Sequence, residues 1–347
     1  MTVEQNELLA ASSVRRRVPI RRLLTSASAW IWRYKESLGL VPAIILLAIV
    51  GTFVSPAFLT ARNVTNVLQQ SAVLGFVTFA GAIIILNGKF DLSLEGTVNF
   101  APMLGAWLLT VEAPGSGLGL NPWAAVAVTL AAGACIGLTN GLFVVFLGLN
   151  AFLVTLGMQI LLRGLTYSLT KGLTIYSPAP DFVLIGQAQL GGLPISVVAT
   201  GLLFLGGALF MRYHKYGRWI LAVGGNTEAA RAAGIRAGRV WIATFVFGGV
   251  LAAIAGLILS GRVDAVTVGQ GSGITFDMFA AAAIGGISLN GGRGSLLGAL
   301  LGVILLGEIG NVMTLAQVPT QLIDAVRGLL ILIALVINRY VTAEAAE

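Results

Sequence analysis

The sequence predicts an all-α, polytopic membrane protein with about ten transmembrane helices and both termini cytoplasmic. Three observations predict it. Of 347 residues, 57% are hydrophobic and 10% charged, with mean hydropathy +0.92; soluble domains carry about 25% charged residues. Apolar segments of membrane-crossing length recur along the chain. Lys and Arg are distributed lopsidedly between the loops that join them.

A membrane-crossing helix needs roughly 20 mainly apolar residues, within about 17 to 25. Segments that meet or approach this lie at about 38–55, 67–86, 96–111, 122–147, 150–170, 193–211, 240–260, 277–290, 295–314 and 321–339. The eighth is short, and 277–314 also reads as one bent hairpin. Forty-five glycines lie scattered among Leu, Ile, Val and Phe, as close helix packing in lipid requires.

With the N-terminus inside, the inner side holds sixteen cations. Seven are in the N-terminal tail (Arg15, Arg16, Arg17, Arg21, Arg22, Arg33 and Lys35). Nine more are Lys89, Arg212, Lys215, Arg218, Arg231, Arg236, Arg239, Arg293 and Arg339. The outer loops hold three, Arg62, Lys171 and Arg262, while Arg163 and Arg327 fall within spans. The positive-inside rule fixes this orientation. The chain divides into a basic cytoplasmic tail (1–37), a transmembrane domain (38–339) whose longest inner loop covers about 212–239, and a short tail (340–347). No cleavable signal is evident before the first span. The basic tail also suits contact with anionic lipid.

The net charge of +7 is explained by topology signals and implies no nucleic-acid partner. Cys135, the sole cysteine, excludes an intrachain disulfide and reads as a small packing residue. The one histidine, His214, sits in the inner cationic loop. No His/Cys/carboxylate cluster has metal-ligand spacing, no G-x-S-x-G elbow is present, and no G-x-x-x-x-G-K-[ST] phosphate loop occurs. The sequence therefore predicts a non-enzyme without metal or cofactor.

The inner loop carries the most information. In "GRWILAVGGNTEAARAAGIRAGRV" (217–240), Gly224 and Gly225 break the apolar run, and Asn226 is placed to cap a short helix from Thr227. Glu228 falls in its first turn. Ala229, Ala230 and Ala233 favour the helix and Gly234 stops it. Such a helix, cationic at Arg231 and Arg236, is shaped to sit in a groove of another protein; an ordinary positive-inside loop is an equal reading of the same residues.

"AVGGNTEAARAAGI" resembles the cytoplasmic coupling segment of the permeases of bacterial ribose, xylose and autoinducer-2 importers, of the ATP-binding-cassette superfamily. "GKFDLSLEG" (88–96) is similar to that family's "G-G-x-D-L-S-V-G", and "FLVTLGMQILLRGLTYSLTKG" (152–172) to its "F-I-V-T-L-G-T…R-G" span. "FDMFAAAAIGGISLNGGRGSLLGALLGVILLGEIGNVM" (276–313) is similar to its "A-A-V-V-I-G-G-T-S-L-x-G-G-x-G-S" hairpin. Together these cover roughly 42–338. Lys89 and Phe90 replace small or apolar residues, and Glu95 stands where the family often has Val.

The resemblance implies a bacterial inner-membrane permease that dimerises with itself or a second permease. A separate cytoplasmic ATP-binding subunit drives it, and a periplasmic or lipid-anchored binding protein feeds it a monosaccharide, a polyol or a furanosyl signal molecule. It also implies that the helix near 227–233 transmits ATPase movement through Glu228 and Arg231, with Gly225 and Gly234 giving shape. The rival is a secondary transporter or channel that needs no ATPase. A proton-coupled carrier calls for a carboxylate or histidine near the midplane, and the sequence places none there.

Intramembrane ionisable residues are functional candidates. Arg163, Glu308, Asp324 and Arg327 map to outer halves of spans. Asp324 and Arg327 can pair on one helix face, and Arg163 or Arg327 can serve Glu308. Paired structural charges and a solute-lining vestibule are both open readings. Asn66, Gln69 and Gln70 enter the second span with Asn63, as a helix start or as contacts to sugar hydroxyls. Asp91, Ser93 and Glu95 form an inner turn at the water interface, either capping the next span or touching solute. Ser288 and Asn290 lie in a glycine-rich bend (285–294) that reads as re-entrant and pore-side.

Overall fold

Helix α2 (Ala61–Leu86) organises the bundle. Its 26 residues span about 39 Å at 1.5 Å each, more than the roughly 30 Å hydrocarbon core. Thr60 caps its start by accepting from the Asn63 N–H at 3.3 Å. Every residue from Ser71 to Leu86 is buried, as expected of a helix apolar on all faces. The computed structural model from which this follows describes residues 39–344.

The other helices are α1 (Leu40–Val54), α3 (Ser93–Leu109), α4 (Pro122–Phe146), α5 (Ala151–Thr170), α6 (Pro180–Gln187), α7 (Ile195–Tyr213), α8 (Lys215–Gly225), α9 (Thr227–Ala232), α10 (Ala237–Val263), α11 (Ile274–Ile284), α12 (Leu296–Leu315) and α13 (Thr320–Glu344). Six of the thirteen, α2, α4, α5, α7, α10 and α12, are long and apolar enough to cross a membrane; α1 and α11 are shorter apolar helices. Around α2 stand α7, α8, α10, α11 and α12.

Helix α10 packs along α4 by glycine contacts. A Cβ on Gly133 would run into the Gly249 carbonyl, and one on Gly249 into the Gly133 carbonyl. Small residues thus set the backbone approach, which apolar burial cannot drive in lipid. Cys135, on the same helix α4, is exposed and packs against nothing inside the bundle, because Gly133 and Gly137 take the facing positions. That corrects its reading as a packing residue.

The all-α expectation also needs amending. Two short ribbons close the end of the bundle opposite α9. Strand β1 (Ile175–Tyr176) pairs antiparallel with β4 (Ala265–Val266), matching Ile175 to Val266 and Tyr176 to Ala265. Strand β2 (Gln189–Leu190) turns through Gly191 and Gly192 onto β3 (Leu193–Pro194).

The eighth predicted segment, 277–290, resolves into the 11-residue α11 and an irregular loop over 285–295. At about 16 Å, α11 is a half-helix. The loop that leads into it reaches α3: Gln270 is buried, donates from Nε2 to the Val98 carbonyl at 2.9 Å and accepts from Ser260 Oγ at 3.2 Å. Helix α13 runs on to Glu344, so the predicted tail at 340–347 begins as helix. Residues 345–347 and the basic tail at 1–37 lie outside the described residues.

Candidate functional site

The candidate residues gather at the two ends of the bundle. At the α9 end, Asn226 Oδ1 accepts from the Ala229 N–H at 2.9 Å, and Gly234, with φ +82°, follows the helix. Ala230 is buried against Val223, Ala237 and Trp241. That anchor leaves Glu228, Ala229 and Arg231 exposed on the outer surface of a six-residue helix.

Beneath α9, three loops meet backbone to backbone. The Gly292 N–H donates to the Leu86 carbonyl at 2.9 Å. A Cβ on Gly224 would run into that same carbonyl, and one on Gly291 would stand 2.8 Å from Gly88 Cα. Trp241 ties the group together. Its Nε1 donates to the Asn87 carbonyl at 3.2 Å, while Lys89 Nζ lies 4.1 Å and the Arg231 guanidinium 5.9 Å from its ring centre, within cation–π range. Burial, and secondarily the Arg231 charge, hold the Lys89 amine below its ordinary pKa.

Asp91 and Ser93 are 2% and 1% exposed, so their expected place at the water interface is wrong. Asp91 Oδ1 accepts from the Ser93 N–H at 2.8 Å and from its hydroxyl at 2.6 Å, the bonds that start α3. Ser93 Oγ in turn accepts from Asn140 Nδ2 at 2.7 Å on α4, and Thr155 Oγ1 on α5 accepts from the Leu92 N–H at 3.1 Å. These bonds pull the turn inward between α4 and α5. Burial, opposed by the Ser93 bonds, pushes the Asp91 carboxyl up to about 6. Glu95 is half-buried and reaches the Thr275 N–H, at 3.5 Å, in the first turn of α11. Ser288 is half-buried, with its carbonyl accepting from Gly291 N–H at 3.0 Å, and Asn290 is exposed.

At the ribbon end, Asn63 and Asn311 exchange two amide hydrogen bonds of 2.9 Å, and Gln69 Nε2 donates to the Gly186 carbonyl at 2.8 Å. Asn66 is exposed. Arg327 Nη1 stands 3.7 Å from Asp324, as the spacing predicts, and 3.4 Å from Asp277. Glu308 makes no ion pair among the described residues, because Arg327 is turned to α11 and Arg163 sits on the exposed face of α5. A cavity of about 210 Å³ opens here, bordered by Gln70, Arg262, Asp277 and Arg327. A larger cleft of about 980 Å³ lies between α2, α7, α8 and α10, but its lining, Phe79, Phe210 and Phe247 among others, is mostly apolar and offers a polar solute little.

Asp277, Trp241 and Gln270 are the residues that sequence reasoning passed over, while Arg262 was read only as an outer-loop cation. Asp277 alone left a readable signal, an aspartate inside an apolar run. Among the described residues no group of three or more His, Cys, Asp or Glu side chains is arranged to hold a metal.

Apolar helices that enclose a polar cavity at one end and present a capped helix at the other have the build of a membrane transport subunit. Comparison with known proteins gives the family. The model described as "Branched-chain amino acid transport system / permease component" matches residues 63–335, and the chain belongs to that permease family. It is 33% identical to the ribose import permease protein RbsC of Escherichia coli K12 over 92% of this chain and 96% of that one. It is 30% identical to the xylose transport system permease XylH of the same strain, over 85% and 89%. Against the L-arabinose ABC transporter permease AraH of Azospirillum brasilense the identity is 28%, over 90% and 91%. No solved structure matches the chain.

Proposed function

We propose that the chain is the permease subunit of an ATP-driven monosaccharide importer in a bacterial inner membrane. It crosses the bilayer ten times with both termini cytoplasmic, and α9 faces the cytoplasm. The observation that carries this reading is the family match over 63–335, joined to pentose permeases among the relatives. The six long apolar helices and the sixteen-to-three cation bias support the topology. In this reading the chain pairs with a second permease, a cytoplasmic ATPase docks on α9, and a binding protein delivers sugar at the ribbon end.

Glu228 and Arg231 are the polar contacts offered to the ATPase, with Asn226, Ala229 and Gly234 setting the shape of the surface. The Gly224–Leu86–Gly292 contact carries its movement to α2 and α12. Asp91 does not favour the proton-coupled rival, since its hydrogen bonds go to the start of α3. Reconstitution tests the reading. Ribose, xylose or arabinose uptake into liposomes should need the chain, its ATPase, its binding protein and ATP together. Uptake at full rate by the chain alone would contradict it.

A further inference from the structure

The ribbon-end cavity holds polar groups that the protein leaves unmatched. Ser71 is 6% exposed, and its shielded hydroxyl has no hydrogen-bond partner. Among the described residues, the Gln70 amide and the Arg262 guanidinium make no hydrogen bond or ion pair. Arg327 and Asp277 stand at 3.4 Å, longer than the roughly 2.7–2.9 Å of a charge-assisted hydrogen bond, so both keep bonding capacity. A buried polar group left unmatched costs about 1–3 kcal/mol. Ser71 is the one such buried group here; Gln70, Arg262, Asp277 and Arg327, exposed or half-buried around the same space, add hydrogen-bonding capacity that an occupant can use.

The charges specify its chemistry. Arg262, Arg327 and Asp277 border the cavity, with Asp324 beside Arg327, giving two cations and two carboxylates. The sum favours neither an anion nor a cation. Hydroxyls both donate and accept, so neighbouring hydroxyls satisfy a carboxylate and a guanidinium fork together. The volume, about 210 Å³, equals the liquid share of roughly seven waters at ~30 Å³ each. Aliphatic side chains complete the wall and suit the C–H face of a ring.

We propose that this cavity is a binding stop for a neutral, polyhydroxylated solute inside the permease itself, with Gln70, Ser71, Arg262, Asp277 and Arg327 as its hydrogen-bonding wall. The proposal rests on the sugar-import reading and adds a site within the chain. It makes the permease a second point of selection after the binding protein.

Gly310 gives the test. It lines the cavity on α12, and a Cβ there meets only Arg327 Nη2, at 3.6 Å. Gly310→Cys, in a Cys135→Ser background, is labelled with a water-soluble thiol reagent in the full chain in lipid nanodiscs. Ribose, xylose or arabinose should slow labelling at least threefold, whereas glycine betaine at equal osmolarity should not. Adding Ser71→Ala or Gln70→Leu should remove the protection. Labelling unaffected by all three sugars would overturn the proposal; so would a cysteine that does not label, since a solute stop must be reached from water.

Gly310→Leu fills the cavity without a backbone clash and should lower reconstituted uptake tenfold or more at unchanged melting temperature. Gly201→Leu, on the exposed face of α7 where a Cβ meets nothing within 4 Å, should leave uptake unchanged; equal loss in both would overturn the site. Uptake without protection defeats the site alone. Protection with no ATP-driven uptake of any of the three sugars defeats the importer reading alone.

Discussion

The α9 end and the ribbon end are built on opposite principles. At the α9 end, loops touch backbone to backbone through Gly88, Gly224, Gly291 and Gly292, and Asp91, Ser93 and Thr155 are tied by short hydrogen bonds. At the ribbon end, the side chains of Gln70 and Arg262 and the shielded Ser71 hydroxyl line a cavity and have no hydrogen-bond or ion-pair partner among the described residues. Close contact without side chains leaves nothing to give, so on the proposed reading a push on α9 would be passed on to α2 and α12. Unmatched groups around a cavity accept something that comes and goes. On the proposed reading, one end moves the protein and the other holds what is moved.

Substitutions at matched positions break this contrast most sharply. Gly224→Ala drives a methyl into the Leu86 carbonyl, and because that contact is backbone on backbone, relief requires α8 to shift. The expected cost is several kcal/mol, read as a large fall in melting temperature in detergent and loss of uptake. Gly310→Ala, by contrast, gains helix propensity of up to about 1 kcal/mol and should melt at or slightly above the parent. Equal destabilisation by the two would dissolve the distinction between the ends.

Asp91→Asn comes next. Burial pushes the folded carboxyl up to about 6, above the ordinary aspartate range of about 4, which is worth roughly 3 kcal/mol at most. The sign follows from linkage. The folded state binds its proton more tightly, so the stability the group contributes is full below about pH 4 and is lost as pH rises through about 6. Asparagine never ionises and keeps an acceptor for Ser93. The variant should therefore match its parent near pH 4.5 more closely than at pH 7.5, where it should be the more stable. A stability difference independent of pH would remove the buried charge from the account.

Trp241→Phe is the smallest change. It keeps an aromatic ring beside Lys89 and Arg231 but deletes the Nε1 donor to the Asn87 carbonyl. A loss of about 1 kcal/mol is expected, with uptake reduced severalfold. Unaltered melting and uptake would show that the indole N–H does not help join α10 to the α2–α3 turn.

Local features were legible in the sequence. Asn226 caps α9 as its sequence position predicts, because a cap depends on two or three neighbouring residues. The Asp324–Arg327 pair was readable for the same reason, being one turn apart. What required the tertiary structure was contact across distance. Asp277 reaches Arg327 from another helix, Ser93 meets Asn140, and Gly224 meets Leu86 and Gly292. Asp91 looked interfacial because it follows an apolar run. Only the packing of α4 and α5 around the turn buries it, and no local pattern reports that. The eighth segment read as short, but its end at Ile284 was hidden, since the glycine-rich loop after it is nearly as apolar as the helix.

The central claim is that force enters at α9 and the chain has no motor of its own. Both residues are exposed on the outer surface of α9, so the decisive measurement is the number of sugar molecules imported per ATP hydrolysed by the reconstituted complex. Glu228→Arg and Arg231→Glu should each lower that ratio at least tenfold while the protein inserts and melts as the parent does; the double exchange should recover part of it if the ATPase surface pairs with both charges. A ratio unchanged in both single variants would contradict the account.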